Sequence, residues 1–327
     1  MAKIGIMSCA HMHAYAYAGC VKALPDAELV AIWDDDSKRG RAAAREFGTK
    51  FIADLQKFLS SGVDAVIVCS ENSKHRPMVE AAAKAGKWVL CEKPLATTVA
   101  DAKAMIRACS AAGVGLGTAF PCRFITPVIE ARNRLKSGEI GRLHAAACTN
   151  NGSFPGGWFA DPKLSGGGAV MDHTVHVVDA LRWMTGKEFT RVYCDCGTLL
   201  HEGLKTDDVG SLHLEMEDGV IVSHVASWNR AQSFPTWGDV TFELVGSKGV
   251  MSVDGFNQKI DVYSDRTQKA EWAFWGDDAN LAMVKDFVEA VDDCNRPPSV
   301  TGEDGLRALE VTLAAYRSAK SGKMVAV

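Results

Sequence analysis

The sequence predicts an α/β protein: a doubly wound parallel-sheet domain over residues 1–121, followed by an α+β domain with a mostly antiparallel open sheet over residues 122–327. Three observations carry this. The chain has 327 residues, beyond the roughly 250–300 at which a single core stops growing. Up to Phe120-Pro121, short apolar runs alternate with alanine-rich helical stretches, the rhythm of right-handed crossovers and a parallel sheet. After that point the strands alternate in polarity and are separated by turn signals, as in antiparallel sheet with one solvated face.

The first half reads in order as strand Lys3 to Met7, helix Ala14 to Leu24, strand Glu28 to Trp33, helix Ser37 to Phe47, strand Val63 to Cys69, helix His75 to Ala85, strand Trp88 to Cys91, helix Val99 to Ala112 and strand Val114 to Phe120. A helix from Pro127 to Ser137 stops at Gly138, and a strand follows from Arg142 to Asn150. The glycine-dense loop Asn151 to Gly168 leads into a helix through Asp172. Strands then fill Phe189 to Phe274, broken at Glu217-Asp218-Gly219, Gly246-Ser247-Lys248-Gly249 and Asp254-Gly255. Two helices, Ala279 to Asp292 and Glu303 to Ser321, finish the chain.

Composition narrows the function classes. The net charge is -4, with 23% charged residues and no basic run long enough to make a nucleic-acid-binding field. No apolar run reaches the roughly eighteen residues of a membrane helix. Ten cysteines follow no secretory leader, so reduced thiols and a cytoplasmic setting are expected. The pair Cys194-x-Cys196 lacks a second pair to complete a zinc site.

The chemistry-bearing residues fall in two motifs. Glu92-Lys93-Pro94 follows the strand Trp88-Val89-Leu90-Cys91, which puts a lysine at the carboxyl end of a parallel strand, where sites of such sheets lie. Gly166-Gly167-Gly168-Ala169-Val170-Met171-Asp172-His173-Thr174-Val175-His176 sets Asp172 and His176 one helical turn apart on one face. Oxidising an alcohol requires a base near neutral pKa, which suits His176. It also requires stabilised charge on oxygen, which suits an ammonium at Lys93.

Together these motifs resemble the Gfo/Idh/MocA family, the glucose-fructose oxidoreductase and inositol dehydrogenase relatives, whose pattern is a strand ending in Glu-Lys-Pro and a later GGG-x-x-x-D-x-x-x-H. The resemblance spans nearly the whole chain. It implies a Rossmann-like first domain and an NAD(P)-dependent oxidoreductase, a sugar or inositol dehydrogenase-like enzyme acting on a secondary alcohol of a sugar, cyclitol or related polyol. It assigns Lys93, Asp172 and His176 as catalytic, and places Ser70, Asn72 and His75 beside the nicotinamide-side ribose, with Glu92 and Lys93 also reaching the cofactor. Glu92 is further expected to fix the domain junction, with Pro94 as a site for a cis bond. The resemblance also implies a homo-oligomer, a dimer or tetramer paired through the outer face of the second sheet.

The cofactor turn departs from the family pattern. Where G-x-G-x-x-G is expected after the first strand, the chain reads Ser8-Cys9-Ala10-His11-Met12-His13. Ser8 and Ala10 are small enough to let a diphosphate approach. Cβ of Ala10 pushes the phosphates outward, and His13 replaces the glycine that eases helix-strand packing. Asp34, at the end of the second strand, can hold both ribose hydroxyls, so NAD is expected; Ser37, Lys38 and Arg39 keep NADP open as a second cofactor. His11-x-His13 also matches the opening of metal-dependent hydrolases on eight-stranded barrels. This chain has about five strand-helix units, so no metal site is expected, and the two histidines are left between cleft roles and packing at the helix start.

For substrate, Arg123 can reach a hydroxyl or carboxylate, and Trp158 in the glycine-rich loop can cover a polyol's apolar face. His173 stands at the edge of the catalytic helix face. Trp228 and Phe234-Pro235-Thr236-Trp237 extend this surface or pack the core. Two other readings remain: a redox-neutral enzyme that retains NAD while it cleaves or eliminates a glycoside, and a non-catalytic cofactor-binding regulator. Product without net NADH marks the first; cofactor binding without turnover marks the second.

Overall fold

The computed structural model describes residues 1–327 apart from Gln232, Pro235, Trp275, Cys294 and Asn295. Pro235, within the aromatic segment considered above, therefore lies outside the described residues. Two compact units form. One comprises Met1–Pro121, Lys163–Gly166 and Asn280–Leu309; the other comprises Cys122–Pro162, Gly167–Ala279 and Glu310–Val327.

The first unit is built from β1 (Ala2–Met7), α1 (His13–Ala23), β2 (Ala27–Trp33), α2 (Ser37–Phe47), β3 (Lys50–Phe51), α3 (Leu55–Leu59), β4 (Ala65–Val68), α4 (His75–Lys84), β5 (Trp88–Cys91), α5 (Val99–Ala111) and β6 (Leu116–Thr118). The strands make one parallel sheet in the order β3-β2-β1-β4-β5-β6. Central strands are apolar on both faces because helices cover both: Ala65, Val66, Ile67 and Val68 are all fully buried. The edge strand β3 was missed from sequence because two residues leave no periodicity to read. Asp36 caps α2, its Oδ1 accepting from the N–H of Lys38 at 2.8 Å and of Arg39 at 3.1 Å.

The second unit contains α6 (Thr126–Ser137), β7 (Leu143–Asn151), α8 (Ala169–Thr185) and strands β8 (Phe189–Gly197), β9 (Val209–Met216), β10 (Ile221–Ser227), β11 (Thr241–Gly246) and β12 (Val250–Asp254), with β15 (Val325–Ala326) at the edge. The short α7 (Pro162–Ser165) precedes α8. A separate hairpin pairs β13 (Lys259–Ser264) with β14 (Lys269–Phe274). Helix α9 (Ala279–Asp292) belongs from Asn280 on to the first unit, as does α10 (Gly302–Ser321) as far as Leu309, and the rest of α10 belongs to the second. The seven-stranded sheet runs β12-β11-β7-β10-β9-β8-β15. It is antiparallel except where β10 lies parallel to β7, so the expected mostly antiparallel sheet is present with one parallel pair at its centre. Along β10, Val222, His224 and Ala226 are buried while Ile221, Ser223 and Val225 are exposed. One face of the sheet is therefore covered and the other open. Among the described residues no helix is long and apolar enough to cross a membrane.

Candidate active site

In the first unit, the turn between β1 and α1 does the work of a glycine loop with other residues. Ser8 adopts φ 70°, a left-handed conformation that costs a non-glycine residue about 1–2 kcal/mol. Its Oγ accepts from the N–H of Ala10 at 3.2 Å, and its N–H donates to Trp33 O at 2.7 Å. The N–H of His11 donates to Cys69 O at 2.9 Å, and Nδ1 of His11 accepts from the N–H of His13 at 3.1 Å. The N-cap residue of α1, Met12, makes no side-chain cap bond, and the imidazole of His11 takes the N–H of the first helical residue, His13.

Asp34 is buried below this turn. Its Oδ2 accepts from the N–H of Cys9 at 2.8 Å and from Arg39 Nε at 2.9 Å. Its Oδ1 accepts from the N–H of Asp36 at 2.8 Å and from Arg39 Nη2 at 2.7 Å. The carboxylate expected to hold ribose hydroxyls is thus engaged by four internal donors. Of these only the Arg39 side chain can swing away, so ribose binding at Asp34 requires exchange with the guanidinium.

The Glu92 segment lies at the end of β5 and has a cis Lys93–Pro94 bond. Glu92 is fully buried. Its Oε1 accepts from Tyr17 Oη at 2.6 Å and faces His13 Nδ1 at 2.8 Å, while Oε2 accepts the N–H of Lys93 at 2.8 Å. Burial pushes the Glu92 carboxyl up, but the charges of His11 and His13, the His13 hydrogen bond and Lys93 outweigh it and hold the group well below the usual carboxylate range. His75 faces the carbonyls of Pro94 at 3.1 Å and Leu95 at 3.2 Å through Nδ1 and that of Ser70 at 3.3 Å through Nε2. It therefore braces the two strand-end loops with its ring. Burial keeps His75 below its ordinary pKa against these three carbonyls. Asn72 donates from Nδ2 to Ser165 O at 2.8 Å, and Ser70 Oγ donates to Glu71 O at 3.2 Å.

In the second unit, α8 begins at the triple glycine. A Cβ on Gly168 would collide with the backbone of Asp207. This close approach lets the Asp207 carboxylate accept from the N–H of Gly168 at 3.0 Å and of Val170 at 2.7 Å. Tyr316 Oη donates to Asp207 Oδ1 at 2.7 Å and accepts from the N–H of Gly168 at 3.0 Å and of Met171 at 3.1 Å. Two residues distant in sequence thus satisfy the helix start. One turn on, Asp172 Oδ2 accepts from Trp228 Nε1 at 3.0 Å and lies 3.1 Å from His173 Nε2. His176 follows after one further turn; both it and Asp172 keep a small exposed area, 6% and 5%.

Three expected substrate contacts sit differently. His173 is fully buried, with Nδ1 donating to Asn150 O at 2.7 Å. It braces β7 through that bond and presents no ring surface. Arg123 is buried in a two-point ion pair with Asp179, at 2.7 and 2.5 Å, which commits its guanidinium within the unit. Trp158 is half-buried and stacked on Phe159 at 3.9 Å; with Phe154, Phe159 and Trp228 it forms one aromatic cluster. The sequence reading missed Asp207, Tyr316, Tyr17 and the bond from Trp228 to Asp172. Only Tyr17 carried a local signal, its i+4 spacing from His13.

With this geometry in hand, the chain compares closely with known proteins. Residues 3–120 match an oxidoreductase family with an NAD-binding Rossmann fold, and residues 128–252 match the GFO/IDH/MocA C-terminal domain. The chain is 31% identical to myo-inositol 2-dehydrogenase of Thermotoga maritima over 324 residues, covering 94% of each chain. It is 32% identical to 1,5-anhydro-D-fructose reductase of Ensifer adhaerens over 309 residues, covering 90% of each. Among solved structures, GenD2 from gentamicin A biosynthesis in complex with NAD superposes with a TM-score of 0.90 at 25% identity, over 100% of this chain and 96% of that one.

Proposed function

The chain belongs to the GFO/IDH/MocA oxidoreductase family and carries its NAD-binding Rossmann fold, and from that premise we propose that it transfers a hydride between nicotinamide and a secondary alcohol of a sugar, cyclitol or related polyol. The observation that carries this reading is the start of α8. Glycines 166–168 and the Asp207 cap place Asp172 in the bond from Trp228 with His176 one turn beyond.

NAD, when bound, supplies the hydride acceptor. Ser8, Ala10, His11, Met12 and His13 line the diphosphate at the start of α1, and the N–H groups of Ala10 and His13 leave Ser8 Oγ and His11 Nδ1 to meet its oxygens. Ser70, Asn72 and the Glu92-Lys93 segment border the nicotinamide-side ribose, and His75 holds that border in place through the carbonyls of residues 70, 94 and 95. Lys93 stabilises negative charge on the reacting oxygen. His176 accepts the hydroxyl proton. Asp172 holds a substrate hydroxyl or steadies the imidazolium, oriented by the bond from Trp228. Trp158 and its aromatic neighbours offer the flat apolar surface that a polyol ring requires.

NAD is the favoured cofactor and NADP a second one, with Arg39 the group nearest in chemistry to a 2′-phosphate. The second sheet's open face, with exposed Ile221, Val225, Val245 and Val250, supports pairing into a dimer or tetramer. Nine free thiols among the described residues fit a reducing, cytoplasmic setting. The test is a panel of sugars and cyclitols with NAD and NADP, read by reduced-nicotinamide absorbance and sedimentation of the oligomer. Accumulation of NADH with a polyol supports the reading. Product without net NADH, or tight cofactor binding with no turnover on any member, overturns it.

A further inference from the structure

The motif His11-x-His13 is used by the hydride-transfer reading only through its backbone, yet the fold gives its two rings a third partner. Ligand atoms of His11, His13 and Glu92 all lie within 4.8 Å of one another. We infer that these three residues form a binding site for a divalent first-row metal ion, of the zinc or ferrous class, at the start of α1. The inference stands apart from the catalytic assignment of Lys93, Asp172 and His176, and it replaces the expectation that the chain has no metal site.

Three features support it. The donor set is right: two imidazoles and a carboxylate suit borderline ions such as Zn²⁺ or Fe²⁺, and not calcium or magnesium, which take oxygen ligands. The spacing is right: with bonds of about 2.0–2.2 Å, neighbouring ligand atoms around one ion lie about 2.8 Å apart at right angles and up to about 3.6 Å apart at the tetrahedral angle. His13 Nδ1 and Glu92 Oε1 are 2.8 Å apart, and the rings of His11 and His13 are tilted by 55° with centroids at 4.3 Å. His11 closes the set by a small turn of its ring, since the ligand atoms of all three residues already lie within 4.8 Å of one another.

The third feature is the surrounding shell. Tyr17 Oη donates to Glu92 Oε1 at 2.6 Å, and the N–H of Lys93 donates to Oε2 at 2.8 Å. These bonds fix the carboxylate's orientation, as outer partners of metal ligands do. Three protein ligands leave coordination positions open, which fit water or a phosphate oxygen arriving at the helix start.

The experiment uses the full chain, stripped with a chelator, reloaded separately with Zn²⁺ and Co²⁺, and passed through gel filtration before metal analysis. One ion per chain should be retained, and cobalt should show visible absorption from a nitrogen and oxygen ligand set. His13→Ala, in a half-buried side chain at a helix start, and His11→Ala should each weaken binding roughly tenfold or more. His213→Ala, on an exposed ring of β9, should leave it unchanged. Circular dichroism of His13→Ala checks that the fold is kept; should His11→Ala fail that check, His13→Ala alone decides. No ion retained by the wild-type chain, or retention equal in wild type and His13→Ala, overturns the proposal.

Discussion

The turns that start α1 and α8 solve one problem in opposite ways. Each must bring backbone N–H groups to a helix start without leaving them buried and unsatisfied. At α8 the chain uses glycines, and the vacated volume is entered by the Asp207 backbone and the Tyr316 hydroxyl. At α1 the glycines are gone. Ser8 takes the left-handed conformation and bonds to Ala10, while His11 and His13 fasten the turn to the chain and to Glu92. A missing glycine fingerprint therefore marks a different way of building the turn and leaves the parallel-sheet fold in place.

The largest effects should fall on the chemical residues. Lys93→Met and His176→Ala should each lower turnover by roughly a hundredfold or more, and NAD titration of His176→Ala should show little change in affinity. His173→Ala should cost less, since that fully buried ring is bonded to Asn150 O and presents no surface to substrate. Steady-state kinetics on the three variants give the ranking; a silent His176→Ala beside an inactive His173→Ala would reverse the assignment.

The glycine-built helix start should be the more costly of the two turns to disturb. Asp207→Ala removes the acceptor for two N–H groups of α8 and the partner of Tyr316, and should lower stability by about 2 kcal/mol in denaturant titration. Ala10→Gly in the other turn should change stability by less than 1 kcal/mol, because Ala10 contributes no side-chain bond to it.

A third difference separates buried histidines. His75 is surrounded by carbonyls, whereas His224 lies on the covered face of β10, where burial pushes its pKa down from 6.5 to about 3. A depressed histidine leaves stability intact above its ordinary value and removes it as pH falls toward the folded value, because only the unfolded chain then binds the proton. Between about pH 6.5 and 3, His224 should contribute a loss of roughly 1.4 kcal/mol per pH unit. Denaturant midpoints at several pH values should show a shallower slope in His224→Leu; an unchanged slope would assign the acid sensitivity elsewhere. Among the substitutions that affect turnover, the smallest effect is expected of Trp228→Phe, which deletes the N–H bond to Asp172 while keeping the aromatic packing. It should lower kcat by about tenfold, the scale of one hydrogen bond to a charged group, with KM nearly constant.

How far the sequence could be read follows from the range of each interaction. Strand and helix alternation is local, so the parallel sheet was legible, as were Lys93 at the end of β5 and the Asp172-His176 spacing. The two-residue β3 was too short to leave a pattern. Asp207 and Tyr316 were invisible because they act on α8 from 35 or more positions away in the chain. Arg123 and Asp34 were legible as polar groups at strand ends, but their partners, Asp179 and the Arg39 guanidinium with two N–H groups, decide what they are free to do. A local pattern identifies a charge and leaves its commitments unstated.

The central claim is hydride transfer from a polyol carbon. It is tested most directly with a cyclitol or sugar deuterated at its secondary carbinol positions, incubated with NAD and the wild-type chain, with the NADH formed analysed by mass spectrometry. The account predicts one deuterium in the NADH, transferred from the substrate carbon, and its near disappearance with His176→Ala. Substrate conversion with no deuterium in NADH, or equal transfer by His176→Ala, would contradict it.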